Sequence, residues 1–433
     1  MIFCIEITPY VKYEYSSDSE LFPYTNQSLN YSSFGIDMHY ERNRLSFESD
    51  FSYHLFEGIN ERPNKFNFFQ GFGYIENNPG LSSNQFNYFL TAIDVKYTAN
   101  QFNFFSGLSN PIWGPGINNI ILSDKAPPFF NIGYEWKVTE KLRYTHLYGK
   151  LSSQMEDPTY TFIYDNDASR FAQIPRSINA HKIDYSISDD ITFGLFEIIV
   201  YGGSRSIEPY YFIPIIPFLP VQTYLGDVDN DLLGSYIDIN INNVTVYSSI
   251  LIDEWTPPDT FKEEHKNWFI YQLGMDITTN FVRYNSGSIT LEYIFSDNRV
   301  YNHKYSINNF YSYGYPLGFW AGPHAEQIYF KVAQTVGEIE LSAQLSITKR
   351  GESVYGYDNN FVDRFTSVVE KKEAFYLSVL YNYNKHLSIH LNASLIDWEN
   401  AGFDPFDSTQ LTSNLVKENF QIGVNYRFKE YGL

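Results

Sequence analysis

The sequence predicts an all-β fold, a transmembrane antiparallel β-barrel of about 18 strands with long extracellular loops and short periplasmic turns. Three observations predict it. Apolar and polar residues alternate along most segments, tight and long connections alternate along the chain, and the 433 residues include 38 Tyr and 37 Phe. Half-apolar strands, alternating connection lengths and interfacial aromatic residues are all typical of outer-membrane barrels.

The alternation of apolar and polar residues is clearest in residues 339–348 and 386–395. In the second segment, Leu387, Ile389 and Leu391 occupy every other position, with polar residues between them. A period of two means a strand with one apolar face and one polar face. A soluble β-sandwich also alternates, but its strands are usually shorter than these. We therefore expect the apolar faces to point outward, towards lipid.

The connections predict how the strands pair. Eight tight connections, each joining two alternating runs as a hairpin, lie near Arg42-Asn43, Thr98 to Gln101, Thr139-Glu140, Ser188 to Asp190, Asn242-Asn243, Thr279-Asn280, Val336-Gly337 and Asn384-Lys385. The long stretches lie at about 16–30, 56–85, 109–127, 151–177, 203–233, 255–266, 296–326, 350–372 and 397–417. With a first run at 3–15 and a last run at 418–428, the hairpins give about 18 strands, an even number as in bacterial barrels. We expect a single barrel domain over residues 1–433.

Composition excludes several classes of function. The net charge is −20, whereas a nucleic-acid partner requires a basic surface. Cys4 is the sole cysteine, which rules out an intrachain disulfide and makes a cysteine zinc site implausible. The sequence carries no dinucleotide fingerprint, phosphate-binding glycine loop or zinc-protease motif. We therefore expect no cofactor and no nucleic-acid partner.

No apolar run is long enough to cross a membrane as a helix. The most apolar segment, residues 210–220, contains Pro214, Pro217 and Pro220, which predict an extended loop. The first ten residues lack the basic region of a signal peptide. The chain is therefore either cytosolic or numbered without a cleaved leader.

Three of the long stretches carry unusual residue patterns. The patterns are Trp113-Gly114-Pro115, Ile121-Leu122-Ser123 with Pro127, Ser204-Arg205, Asp229-Asn230 with Leu232 and Gly234, and Tyr315-Pro316-Leu317-Gly318 with Gly322-Pro323. In this order, within the predicted barrel, they resemble the capsule assembly protein Wzi family of Gram-negative outer membranes. The resemblance spans roughly residues 90 to 430.

The resemblance implies a monomeric barrel of the cell outer membrane that attaches capsular or extracellular polysaccharide to the cell surface. Such a protein binds glycans in the manner of a lectin and is not an enzyme. Its implied partners are the polysaccharide and outer-membrane lipids. The barrel pattern leaves two alternatives open, a porin-like or substrate-specific channel and, less favoured, an outer-membrane lipid hydrolase.

A glycan-binding barrel needs aromatic faces and planar polar groups on a rigid rim. We expect the long stretch at 296–326 to fold over or into the barrel mouth, where Trp113 and Arg205 from other loops converge on it. The candidate ligand-binding residues are Trp113, Arg205, Asp229, Asn230, Tyr301, His303, Tyr315, Trp320, His324 and Glu326. An alternative interpretation is that the aromatic residues pack against each other and plug the lumen.

A calcium loop is a further interpretation of residues 226–238. Asp227, Asp229 and Asp231 alternate there, and Asp238 stands at the twelfth position. However, Leu232 occupies the place where the sharp turn of such a loop needs Gly. A cap between loop and strand is therefore the favoured interpretation, and we expect no metal site.

A catalytic role is the less favoured interpretation of residues 386–390. His386, Ser388 and His390 share one face of a predicted strand, and a lipid hydrolase needs such a nucleophile and base. They lie on the polar side of that strand, away from lipid. We therefore expect a polar ladder inside the barrel and no enzyme activity.

Overall fold

The computed structural model describes residues 5–20, 27–58, 85–163, 172–203, 205, 207–262, 267–279, 286–353, 363–404 and 412–432. Eighteen long strands account for most of these residues. They are β1 Glu6–Ser16, β2 Leu29–Arg42, β3 Leu45–Glu57, β4 Gln85–Ala99, β5 Phe102–Ser109, β6 Phe129–Lys137, β7 Leu142–Leu151, β8 Arg176–Ser186, β9 Ile191–Gly202, β10 Asn230–Ile241, β11 Val244–Glu254, β12 Trp268–Thr279, β13 Gly287–Ser296, β14 Ala325–Val336, β15 Ile339–Arg350, β16 Glu370–Asn382, β17 Leu387–Ala401 and β18 Ser413–Arg427.

The strands form one closed sheet. Each pairs antiparallel with the next strand along the chain, and β1 closes the sheet by pairing with β18, with Tyr10 opposite Arg427. The two-residue segment Tyr431–Gly432 also pairs with β1. The fold is therefore a closed antiparallel barrel, and the predicted fold class and strand count are confirmed.

The tight connections lie where the sequence predicts them, because local backbone chemistry favours a reversal there. Asn43, Asn100, Asn242 and Gly337 have φ angles of 56°, 54°, 55° and 60°. Asn and Gly adopt this left-handed conformation most readily, and hairpin turns require it. The connection between β12 and β13 also joins paired neighbours, but residues 280–285 of it lie outside the described residues.

The two faces of the strands differ as the alternation predicts. The outward face is apolar, and on β15 and β17 the residues Leu341, Leu345, Leu391 and Leu395 are between 37% and 51% exposed. The polar residues between them point into the lumen, where Asn392, for example, hydrogen-bonds Gln421 of β18. The apolar side chains thus cover the outside of the barrel rather than a shared core.

Two long connections fill one side of the lumen, and we call them together the plug. They are the β5–β6 loop, residues 110–128, and the β13–β14 loop, residues 297–324. Their apolar residues form one buried cluster with inward-facing residues of the wall, including Ile198, Val200 and Leu232. The lumen therefore contains an apolar core beside β7 to β14.

A third long connection packs on the opposite side of the wall. The β9–β10 loop, residues 203–229, which we call the strap, contains a 3-10 turn at Pro209–Phe212 and an α-helix at Phe218–Leu225. The prediction of an extended loop at residues 210–220 is therefore wrong, because the prolines lie at the ends and the first turn of these short helices, where Pro is tolerated. Among the described residues, no helix is long and apolar enough to cross a membrane.

Candidate functional site

The plug is held together by an apolar interior and by short hydrogen bonds between its two loops. Ile120 and Phe319 are fully buried in it. The Ser123 hydroxyl donates to the Gly318 carbonyl at 2.6 Å, and the Ser123 N–H donates to the Leu317 carbonyl at 2.8 Å. The two loops therefore form one packed unit.

Tyr301 lies at the centre of this unit. Its hydroxyl donates to the Ile120 carbonyl at 2.9 Å and accepts the Phe319 N–H at 2.9 Å. Burial raises the pKa of the Tyr301 hydroxyl, so the hydroxyl keeps its proton as a donor. A Cβ on Gly318 would lie 2.4 Å from the Tyr301 hydroxyl and 2.3 Å from the Ile120 carbonyl. The glycine of the Tyr315–Gly318 pattern is therefore needed for close packing.

The tip of the β5–β6 loop is anchored to the wall by Glu292, which faces the lumen from β13 and is 1% exposed. Its carboxylate accepts the backbone N–H groups of Ile117 and Asn118 at 3.2 and 3.1 Å and the Asn118 side-chain amide at 2.8 Å. It also accepts Gln272 Nε2 at 2.9 Å and the Tyr247 hydroxyl at 3.0 Å. Five donors thus surround one carboxylate.

The aromatic candidates are buried in the plug or at its edge. Trp113 and Tyr315 are 5% and 8% exposed, and both belong to the plug core. Lys182 Nζ, which reaches the plug from β8, lies 5.6 Å from the Trp113 ring. Trp320 borders the remaining lumen, and its indole N–H donates to Gln327 Oε1 at 3.2 Å. The aromatic residues therefore pack together and fill one side of the lumen, and Trp320 also faces a cavity on the other side.

His324 ties the plug to the next loop. Its Nδ1 lies 2.6 Å from the Glu352 carbonyl, and its Nε2 accepts the Phe365 N–H at 2.9 Å. The ring also stacks on Phe365, with centroids 4.7 Å apart. Burial lowers the pKa of His324, in agreement with a neutral ring that donates from Nδ1. Both nitrogens are engaged by the protein, so His324 acts here as a structural tie.

His303 has a similar structural setting. Its ring Nδ1 accepts the Tyr305 backbone N–H at 3.2 Å, and the His303 backbone N–H donates to Asn309 Oδ1 at 2.8 Å. Burial lowers the pKa of His303 to about 4. The ring is therefore neutral at physiological pH and stabilises the turn that follows it.

Arg205 does not converge with Trp113 at the barrel mouth, so that expectation is wrong; it lies beside Asp229 instead. Arg205 forms an ion pair with Asp229, and the Tyr211 hydroxyl donates to the same carboxylate at 2.6 Å. The guanidinium lies over Tyr201, which points outward from β9. Asp229 and Arg205 therefore fasten the strap to the outer side of the rim.

Asn230 lies where the sequence predicted a boundary between loop and strand, whereas Glu326 does not lie at the barrel mouth. Asn230 is the first residue of β10 and is buried, which agrees with a boundary between loop and strand. Glu326 alternates with the inward-facing Gln327 and therefore points outward, where it pairs with Arg364 at 3.3 Å. Glu326 is thus outside the lumen.

The aspartates of residues 227–238 do not converge on a common point. Asp227 is exposed, and its carboxylate lies 3.7 Å from Lys304 Nζ. Asp229 is engaged by Arg205, and Asp231 lies on β10 opposite Ile199 of β9. The arrangement is that of a rim held by ion pairs rather than of a calcium loop.

A cavity of about 740 Å³ lies between the plug and the wall formed by β1, β2, β3 and β14 to β18. Aromatic side chains border it, as do many amide and hydroxyl groups. Its aromatic members are Tyr31, Phe56, Trp320, Tyr329 and Tyr376. Its amide members are Asn118, Gln327, Gln344, Asn392, Asn419 and Gln421. Apart from Trp320, none of these residues is among the ligand-binding candidates predicted from the sequence.

The cavity wall is a connected hydrogen-bond network. Ser378 donates to Asn392 Oδ1 at 2.6 Å, Asn392 Nδ2 donates to Gln421 Oε1 at 2.9 Å, and Gln421 donates to Glu14. His390 Nε2 lies 2.8 Å from the same Glu14. Of the predicted polar ladder of His386, Ser388 and His390, His390 takes part in this network, whereas His386 Nδ1 lies 3.0 Å from the Arg427 carbonyl. The polar positions of the strand alternation are the sequence signal that indicates these residues.

Comparison with known proteins supports the fold. The structure is similar to Wzi of Escherichia coli, described as an outer membrane protein involved in group 1 capsule assembly and a carbohydrate-binding β-barrel. The TM-score is 0.62 at 13% identity, over 97% of this chain and 84% of that chain. It is also similar to OccAB2 of Acinetobacter baumannii, with a TM-score of 0.50 at 10% identity over 99% of this chain and 98% of that chain.

A BenF-like porin from Pseudomonas fluorescens Pf-5 aligns over 99% of this chain and 98% of that chain, with a TM-score of 0.48 at 10% identity. No protein-family model matches the chain, and no curated relative matches it significantly. At these identities the similarity establishes the fold alone. This chain is an 18-stranded β-barrel of the outer-membrane type.

Proposed function

We propose that this barrel lies in the outer membrane of a Gram-negative cell and binds a capsular or extracellular polysaccharide in its lumen. It acts there as a single-domain, monomeric, lectin-like member of the Wzi family. The observation that carries the proposal is the cavity of about 740 Å³ beside the plug. The cavity combines aromatic rings with a dense set of amides and hydroxyls.

The chemistry of the cavity suits sugar rings. A sugar presents an apolar ring face and a rim of hydroxyl groups, so it needs a flat aromatic surface and neighbouring donors and acceptors. Trp320 and Tyr329 supply aromatic surface, while Gln344 and Asn392 supply planar amides. The hydrogen bonds within the wall hold these amides in place before a ligand arrives.

The plug makes the cavity a rigid site. Glu292 fixes the tip of the β5–β6 loop, and Ile117 and Asn118 of that tip line the cavity floor. Trp320 is fixed by its bond to Gln327. A binding protein gains affinity from such preorganisation, because less conformational freedom is lost on binding.

The direct test is polysaccharide binding by the purified barrel in detergent, with a matched pair of variants. Asn392 lines the cavity, whereas Asn425 also faces the lumen, from β18, but does not line it. Loss of one hydrogen bond costs about 0.5–1.5 kcal/mol, so Asn392→Ala should weaken binding by roughly 2- to 12-fold. Asn425→Ala should bind like the unchanged protein. Equal affinities for both variants would place the binding site elsewhere.

A cellular test separates attachment from mere binding. Deleting the gene should move polysaccharide from the cell-bound fraction to the medium, and the Asn392→Ala variant should restore attachment less well than Asn425→Ala. An unchanged ratio of cell-bound to shed polysaccharide in the deletion strain would reject the attachment role.

A porin-like or substrate-specific channel is the second candidate, and the same cavity favours it, because the plug leaves that side of the lumen unfilled. Conductance in planar lipid bilayers distinguishes the two candidates. Large, stable conductance steps from the unchanged protein would support the channel and argue against a dedicated binding barrel.

A further inference from the structure

The strap covers a polar part of the outward face of the wall. On β7, β8 and β9 the residues that face outward at this place are Tyr144, His146, Tyr148, Asn179, His181, Glu197, Ile199 and Tyr201. Among the described residues, most of this face elsewhere on the barrel is apolar. The Tyr211 carbonyl accepts Asn179 Nδ2 at 3.3 Å, and the Phe218 ring stacks on His181 with centroids 4.2 Å apart. The strap therefore provides hydrogen-bond and stacking partners for these polar groups.

Glu197 holds the strap helix against the wall. Its carboxylate accepts the backbone N–H groups of Phe218 and Leu219 at 2.7 and 3.1 Å and lies 2.9 Å from His181 Nε2. These N–H groups belong to the first turn of the helix and lack partners within it. The carboxylate is thus fully occupied by the strap and by its neighbouring strand.

The strap reaches the level of the apolar band. Glu197 lies six residues beyond Ile191, the periplasmic end of β9. At about 3.3 Å per residue and a strand tilt of about 40°, this places Glu197 about 15 Å above that end, within an apolar band about 25 Å tall. The helix begins at Phe218, whose backbone N–H donates to Glu197, so it lies beside the outer half of the band and not above it.

The outer surface of the strap is apolar. Its large exposed side chains include Tyr210, Phe212, Ile213, Ile215, Ile216, Leu219 and Tyr224, with Ile215, Leu219 and Tyr224 exposed by 60%, 53% and 74%. The surface continues the apolar outward face of the wall, where Leu195 of β9 is 48% exposed. In water, a patch of this kind would promote aggregation.

The prolines of the strap also suit a lipid environment. A backbone N–H without a partner costs several kcal/mol in hydrocarbon. Pro214, Pro217 and Pro220 have no backbone N–H, so three donors are absent from the most exposed part of the strap. The sequence of the strap therefore reduces the number of unpaired groups that lipid would meet.

We infer that the strap is seated in the outer leaflet, where its exposed apolar residues bind lipid acyl chains and shield Glu197 and His181 from them. The bound partner is the membrane lipid itself. This inference rests on the proposed membrane location of the barrel, and the following experiment separates failure of one from failure of the other.

The test uses three single-cysteine variants in a Cys4→Ser background, each labelled with an environment-sensitive fluorophore. Leu219→Cys places the label on the strap, Leu195→Cys on the wall, and Phe261→Cys on the β11–β12 loop, where the side chain is 99% exposed. The proteins are reconstituted into phosphatidylcholine vesicles with or without bromine at the middle of the acyl chains. Circular dichroism and the heat-dependent gel shift of folded barrels verify folding of each variant.

We expect bromine to quench the labels at 219 and 195 to a similar extent and to leave the label at 261 nearly unquenched. If bromine quenches the label at 195 but leaves the label at 219 unquenched, like the one at 261, the inference is overturned and the membrane location stands. Absence of quenching at all three positions would overturn the membrane location as well. Ile215→Cys is a second strap position that should behave like Leu219→Cys.

Discussion

Replacing Glu292 by Ala should release the tip of the β5–β6 loop from the lumen wall. Three of the five donors that surround the carboxylate belong to that tip, two from backbone and one from the Asn118 side chain. The change removes the acceptor but leaves the rest of the plug core in place. The expected result is a tip that moves away from the wall, with a wider passage beside β13.

The magnitude follows from the bonds that are lost. A hydrogen bond to a charged group contributes about 1.5–3 kcal/mol. Counting only the backbone bonds of Ile117 and Asn118 at the lower end of that range gives about 3 kcal/mol, which raises the population of the undocked tip about 100-fold. Water that enters the lumen would hydrate the freed N–H groups and would further raise the population of the undocked tip.

The assay is single-channel conductance in planar lipid bilayers, for which Asp276→Asn is the matched control. Asp276 also faces the lumen, but its carboxylate accepts a hydrogen bond from Thr290 of β13 instead of from the plug. We expect more frequent or larger openings from Glu292→Ala than from the unchanged protein, and unchanged gating from Asp276→Asn.

Gly116→Ala provides a second route to the same outcome with the charge retained. A Cβ at this position would lie 2.3 Å from Glu292 Oε2, and the φ angle of +85° disfavours a side chain. Both variants should therefore undock the tip. If neither variant changes conductance, and the loop remains equally protected from proteases, the proposed role of Glu292 as an anchor is refuted.

Three other predictions concern the outward face, the plug and pH. Leu391→Arg should lower the free energy of unfolding of the barrel in vesicles, measured in urea, by about 2–4 kcal/mol, because Arg at the lipid face is costly. Asn392→Arg, at the next residue and facing the lumen, should lower it less. Equal losses would contradict the assigned faces. Gly318→Ala should lower the unfolding temperature, because its Cβ would clash with the Ile120 carbonyl, and an unchanged value would argue against tight packing there. Because burial lowers the pKa of His303 to about 4, the stability it contributes is complete above about 6.5 and is lost as pH falls towards about 4. The protection factors of the β13–β14 loop in hydrogen exchange, which are corrected for the intrinsic slowing of exchange in acid, should therefore fall over that range. His303→Gln should remove this fall.

Much of the fold was predictable because the signals are local. A strand with one apolar face has a period of two wherever it lies, and a hairpin turn needs residues such as Asn43 or Gly337 that accept a positive φ angle. Once the turns and the alternation are known, a closed barrel follows, since every strand pairs with its sequence neighbours. The inward direction of His390 and the outward direction of Leu391 were predictable in the same way.

The candidate site was predictable only in part. The sequence drew attention to the aromatic residues of the β13–β14 loop, and these do enter the lumen. It gave no reason to select Glu292, although this residue anchors the plug, because its five donors come from three separate segments of the chain, residues 117–118, β11 and β12. The amides of the cavity wall were visible as polar positions, but so were all other inward-facing residues.

The sequence by itself determined the architecture of this protein: strands with lipid-compatible outer faces, tight turns at one end and long loops at the other. Only the tertiary structure decided that the loops after β5 and β13 enter the lumen, while the loop after β9 folds down the outside. The physical reason is that alternation and turn preference act between near neighbours. The side of the wall on which a loop packs depends instead on contacts such as Ser123 with Gly318 or Phe218 with Glu197, which join residues far apart in the chain.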